Sequence, residues 1–281
     1  MKKAGLILLF FGFLIVPNVF AEDVSETNKP IEFDPTATIK SPASMKGSRA
    51  NKNTAFELSI WPNMQLCSTN TGVRGLRISL MGWNRDLSGL DIGLINFVTD
   101  DVAGLQVGGF INSVGRDMKG VQAAYGLVNM TGKDVIGLQV AFAANGAEGN
   151  VRGVQVASLM NISKGDVTGV QCSGFSGFMG ATFFAFIGYN RANDLKGLQV
   201  TMAYNEARNA NGVQTSIFYN AAKKEIKGLQ ATFGVNYAQS VKGVQIGFVN
   251  YCRELCGVQI GAINISSEHK FPCVPILNVR F

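Results

Sequence analysis

The triplet Gly-Leu/Val-Gln recurs ten times, at Gly104, Gly120, Gly137, Gly153, Gly169, Gly197, Gly212, Gly228, Gly243 and Gly257, with successive spacings of 16, 17, 16, 16, 28, 15, 16, 15 and 14. A period this regular makes each unit one supersecondary element that buries its apolar side by stacking on its neighbours. Gly75-Leu-Arg and Gly89-Leu-Asp continue the period upstream with the glutamine replaced, and the long gap leaves room for a degenerate copy around Gly180 to Asn190. The array therefore fills nearly everything from residue 73 to residue 264.

Within a unit the residues alternate. Leu198, Val200, Met202 and Tyr204 interleave with Gln199, Thr201, Ala203 and Asn205, and Leu229, Ala231, Phe233 and Val235 interleave with Gln230, Thr232, Gly234 and Asn236. Period two means a strand with one apolar face. Internal glycines and β-branched or aromatic residues argue against helix. The chain reads as all-β, with Leu198, Val200, Leu229, Val244 and Ile246 expected in the repeat core.

Two residues before each repeat glycine stands an apolar side chain: Val73, Leu87, Val102, Met118, Val135, Val151, Val167, Leu195, Ile226, Val241 and Leu255, with the small Ala210 in the remaining unit. A solvated hairpin loop has no need of it. Glycine at positive φ would turn a corner or form a bulge there, letting the apolar residues on both sides of it face one core. Connectors of one length and character favour a β-solenoid, in which every coil is equivalent. An up-and-down outer-membrane barrel is the alternative. It should alternate short and long connectors, but the terminal strand 274–281 with Leu277, Val279 and Phe281 on one face suits it, as do tyrosines near strand ends at Tyr189, Tyr204, Tyr219, Tyr237 and Tyr251.

Upstream of the array the organisation changes. Lys2 and Lys3, the apolar run Ala4 to Val16, the break at Pro17 and small residues at Val19 and Ala21 have the three-part layout of a signal peptide over residues 1–21. Residues 22–53, with Pro30, Pro35 and Pro42, lack apolar periodicity and read as a flexible leader. The repeat domain is 54–281. Export past the inner membrane of a Gram-negative-type bacterium, to the cell surface or outer membrane, is the expected localisation.

Removal of residues 1–21 leaves 23 basic against 19 acidic residues. The positive charges, such as Lys119, Arg152, Lys196, Lys227 and Lys242, are spread singly through the connectors, which makes nucleic acid a poor partner. A single histidine, His269, permits neither a histidine metal cluster nor a serine-histidine triad. Asp117, Asp134, Asp166, Asp194 and Glu225 occur one per connector and read as turn formers. The glutamines read as stacked amides bonding one another along a sheet. No cofactor, metal or catalytic residue is expected.

Five cysteines after an export signal permit disulfides. Cys172 occupies the apolar phase of its unit and is expected buried and unpaired. Cys256 and Cys273, one repeat length apart, are the expected pair, with Cys67 and Cys252 a second.

Gly-Val-Gln-Ile-Gly-Phe-Val-Asn at 243–250, Gly-Val-Gln-Ile-Gly-Ala-Ile-Asn at 257–264, the opening Phe56-Glu-Leu-Ser-Ile-Trp-Pro62 and the ending Phe-Pro-Cys-Val-Pro-Ile-Leu-Asn resemble the leptospiral-type bacterial surface-repeat proteins. The resemblance covers residues 54–281 and implies a secreted or surface-associated product without catalytic residues. It lapses at Gln171-Cys-Ser-Gly-Phe-Ser-Gly-Phe-Met-Gly180, where the unit's asparagine is missing. The expected function is that of a non-enzymatic structural or interaction protein of the envelope, with a surface or host molecule as partner. A barrel that binds or passes small solutes is the alternative.

Overall fold

Each unit proves to be one coil of a parallel β-solenoid of about 13 turns. The computed structural model describes residues 52–174, 188–268 and 271–281; the expected signal peptide, most of the leader and His269 lie outside them. Identical residues stack in register from coil to coil. Gly137, Gly153 and Gly169 are successive partners, as are Gln139, Gln155 and Gln171, and Asn145, Asn161 and Asn190. A coil consists of two extended stretches joined by corners, shown by Val135–Ala141 and Ala144–Ala147. The first stretch pairs only with first stretches of the neighbouring coils, and the second only with second ones. The solenoid is therefore flattened, with two sheets facing each other.

The barrel alternative fails on this pairing. A barrel joins consecutive strands antiparallel, whereas among the described residues antiparallel pairing occurs only at the two ends: a hairpin placing Trp61 opposite Met64, and the terminal strand Cys273–Arg280 against Glu254–Ser266. The last strand caps the array and does not return to Phe56–Ile60.

The repeat glycines sit inside the first stretch with φ between 126° and 155°, a backbone region that side chains avoid. They also form a column without room. A Cβ on Gly153 would lie 1.9 Å from the carbonyl oxygen of Gly137, and the same approach recurs along the stack. The glycine is not the corner expected from the sequence. Alternation passes through it without a phase change, so Val151, Gln155 and Ala157 all point inward while Arg152, Val154 and Val156 point outward.

That phase reverses the expected core. Leu198, Val200, Leu229 and Val244 are half-buried on the outer face and Ile246 is exposed, while Gln199, Gln230 and Gln245 are fully buried. Cys172 shares the outer phase and is likewise half-buried. Period two fixes that one face is apolar, but not which face looks inward. The connector residues fix it here. Val73, Leu87, Val102, Met118, Val135, Val151, Val167, Leu195, Ile226, Val241 and Leu255 are all buried; the first three cluster with Val98 and Val114, and the rest with small side chains such as Ala147, Ala192, Ala207, Ala222 and Ala238 from the second sheet. Each full burial of a Val, Leu, Ile or Met is worth roughly 1.5–3 kcal/mol. The apolar core is thus a strip along one edge of the interior.

No further coil occupies the long gap. Gly169 stacks directly on Gly197 and Asn161 on Asn190, so these units are neighbouring coils with none between them. Residues 175–187 lie outside the described residues.

Gly153→Ala should lower the unfolding free energy by more than about 2 kcal/mol in chemical denaturation, because strain and collision add. Gly146→Ala is the matched control: a Cβ there meets only the Asn129 oxygen, 4.0 Å away, and a change within about 0.5 kcal/mol is expected.

Candidate interaction surface

Ten glutamines and eleven asparagines line the middle of the interior, and their amides complete one another. Each glutamine Nε2 donates to the Oε1 of the glutamine one coil earlier, as in Gln155 to Gln139 at 2.7 Å and Gln171 to Gln155 at 2.8 Å. The asparagines run the other way. Asn129 Nδ2 donates forward to Asn145 Oδ1 at 2.9 Å, and Asn145 to Asn161 at 2.9 Å. A second N–H crosses to the opposite sheet: Asn145 Nδ2 donates to the Val156 carbonyl at 2.7 Å, and Gln199 Nε2 to the Glu206 carbonyl at 3.3 Å. Both donors of such an amide are used, which is what burial of an amide requires. The two columns carry opposed amide dipoles, so neither builds up along the stack.

The glutamine column ends on charge and on a cap. Gln106 Nε2 donates to Asp91 Oδ2 at 2.9 Å, and Asp91 in turn accepts from Arg77 Nε at 2.7 Å, all three fully buried. A carboxylate thus receives the N–H end of the column, and an arginine neutralises it. Glu57 stacks next in register and is also fully buried; its Oε1 accepts from the Cys67 N–H at 3.3 Å, while its Oε2 has no partner among the described residues. At the other end Asn278 Nδ2 donates to Gln259 Oε1 at 2.9 Å, closing the column from the antiparallel terminal strand.

Polar side chains inside leave the large apolar ones outside. Two outer columns follow each glycine, Leu/Val one residue later and Ile, Val, Ala, Cys or Thr two residues after that. They lead to a corner bearing Phe110, Tyr125, Phe142, Phe218, Phe233 and Phe248, of which Phe233 is 83% exposed. Beyond the corner, on the outer face of the second sheet, stand Met81, Ile95, Ile111, Val128, Met160, Val235 and Val249 in line with Tyr189, Tyr204 and Tyr219, while Tyr237 and Tyr251 occupy the next outward column. Tyr189, Tyr204 and Tyr219 stack with ring centroids 5.3 and 4.9 Å apart, and Tyr237 stacks on Tyr251 at 5.4 Å. Glu206 is ringed by Tyr189, Tyr204, Lys223 and Arg191. Burial, reinforced by this carboxylate, pushes the Tyr189 and Tyr204 phenols well above their ordinary range.

Charge is segregated from this edge. From Leu76 to Asn264, the run from the residue after each repeat glycine to the unit's asparagine, or to Gly82 in its place, contains no charged side chain except the buried Arg77 and Asp91. The remaining charges fall between asparagine and glycine, on and beside the opposite corner. The acids there tie coils together rather than closing turns of their own: Asp134 Oδ1 accepts the Asn150 N–H at 2.7 Å, Asp166 Oδ1 accepts the Asp194 N–H at 3.2 Å, and Asp194 and Glu225 lie within strands. No group of acids, cysteines and histidines able to hold a metal occurs among the described residues. The alternation had located this outer row but assigned it to the interior; the uninterrupted absence of charge around it was the signal that could have placed it outside.

The expected disulfides are not formed. All five cysteines are free, with Cys256 and Cys273 exposed. The terminal strand sets Cys273 opposite Ile265 and Arg280 opposite Gly257, so the antiparallel register carries Cys273 away from Cys256. Cys252 is buried against Gln259, and burial pushes its thiol up to about 11. No known family model, curated protein or solved structure matches the chain.

Gln155→Leu, an apolar substitution of similar size, should cost about 2–4 kcal/mol because it strands Gln139 Oε1 and a Gln171 N–H. Val140→Thr, on the exposed column, should stay within about 1 kcal/mol, so paired denaturation curves read out which face is interior. Native thiol labelling should modify Cys256 and Cys273 quickly and reach Cys252 only on unfolding, as mass mapping of the labelled peptides would show.

Proposed function

We propose that the chain is an exported, non-enzymatic repeat protein of the bacterial envelope, whose role is structural or adhesive and whose working surface is the uncharged apolar edge. The segregation of charge carries this reading. Singly exposed apolar residues are ordinary, but a contiguous apolar strip that continues through successive coils marks an interaction site. The signal-peptide layout of residues 1–21 and the resemblance of the repeats to leptospiral-type surface proteins support export. A rigid stack suits display: coils add length without changing the side chains presented, so a partner meets the same columns repeatedly.

Fractionation of cells producing the tagged full chain tests this. The protein is expected in the envelope fraction with its N-terminus at Glu22. The combined substitution Phe218→Ser, Phe233→Ser and Phe248→Ser, on the exposed corner, should release it into the soluble exported fraction with an unchanged circular dichroism spectrum. Recovery of an uncut chain from the cytoplasm would overturn the proposal.

A further inference from the structure

We infer that the apolar edge is a lipid-docking surface, on which the solenoid lies lengthwise at a bilayer interface. This deepens the proposed function and rests on it.

Shape favours a fluid partner over a folded one. The uncharged surface occupies three sides: the outer columns of the first sheet at Leu90, Leu105 and Ile92, the corner at Phe110, Phe233 and Phe248, and the second sheet at Ile95, Val128 and Val249. A second copy of the chain, seated flat, would cover one side and leave the others in water. A medium that flows around the edge covers all three. Twelve stacked coils at the usual spacing of about 4.8 Å make the edge roughly 55 Å long, long enough for many weak insertions to add. Phenylalanine predominates at the corner and tyrosine beside it; the apolar rings suit insertion, and the amphipathic phenols suit the headgroup boundary.

Charge fits the same orientation. The residue immediately before each repeat glycine faces outward beside the first apolar column, and along the stack it is Arg74, Ser88, Ala103, Lys119, Ile136, Arg152, Thr168, Lys196, Asn211, Lys227, Lys242 and Cys256. Six are basic and none is acidic. Arg74, Lys227 and Lys242 also reach carboxylates of the charged corner, at 3.7 Å from Arg74 to Asp86 and at 3.3 and 2.7 Å from the lysines to Glu225. A cationic row bordering an inserted apolar edge lies where anionic headgroups would be.

Flotation of the purified full chain with vesicles of phosphatidylcholine, alone or with added phosphatidylglycerol, tests the inference. Binding to both is expected, tighter with the anionic lipid, with salt removing only that extra part. The combined Phe218→Ser, Phe233→Ser and Phe248→Ser variant should partition about tenfold less or weaker to either vesicle. Lys119→Ser with Arg152→Ser and Lys196→Ser should lose only the anionic preference. Absence of flotation by a correctly folded chain overturns lipid docking. If the chain then sediments as a dimer that the phenylalanine variant dissociates, the edge remains an interaction surface with a second copy as its occupant, and the proposed function stands. Flotation that the phenylalanine variant leaves unchanged overturns the assignment to this edge.

Discussion

A side-chain amide bonding to its own kind one coil away is the interaction on which the rest of the structure depends. It requires identical residues in register at strand spacing, and register in turn requires that nothing wedge the coils apart. The glycine column meets that condition: Gly137 and Gly153 approach so closely that one methyl group would collide with a carbonyl. Given that approach, Gln139 and Gln155 meet at 2.7 Å and a buried polar row becomes affordable, since each amide is satisfied by its neighbours and by the opposite sheet.

The opposition of the two columns follows from the same need. Glutamines donate toward the N-terminal end and asparagines toward the C-terminal end, so the interior has no accumulated dipole to discharge at its ends. What is left of the glutamine column is one unpaired step at each end. Asp91 with Arg77 absorbs it at the start, and Asn278 at the finish. The terminal strand does a second thing. Being antiparallel, containing Pro275 and carrying Ile276 at a φ of 69°, it cannot template another in-register parallel coil.

Repeat length, strand character and the preference for stacked coils were legible because each follows from local pattern: Gly-Leu/Val-Gln at one period, alternation, and an apolar residue two residues before every glycine. The inside of the coil was not legible from alternation, which is symmetric under exchange of faces. Treating the glycine as a corner put Leu198 and Val200 inward. Once Val151 is known to be buried, an extended strand that keeps its phase through the positive-φ glycine places Gln155 beside it and Val154 outside, so the error lay in the change of phase expected at the glycine and spread to every unit. The cysteine pairing failed for a different reason. Spacing of one repeat brings residues together only if the strands run parallel, and the strand carrying Cys273 reverses direction.

Beyond the apolar strip that precedes the glycines, an interior satisfied by amides leaves the Leu, Val and Phe that follow each glycine outside. Placing them outside is costly in water, because apolar surface gains nothing there. The arrangement is economical only if that surface is covered in use. Charge could have been distributed around the coil at little structural cost, since the outer columns face no packing constraint from the interior. Instead every unit between Leu105 and Asn264 keeps this stretch uncharged while the opposite corner carries Asp, Glu, Lys and Arg. Stacking alone explains uniformity from coil to coil, but not which residue is made uniform. Under the proposed role, the choice of an uncharged edge belongs to the surface that would cover it, and the polar interior is what makes that choice compatible with folding.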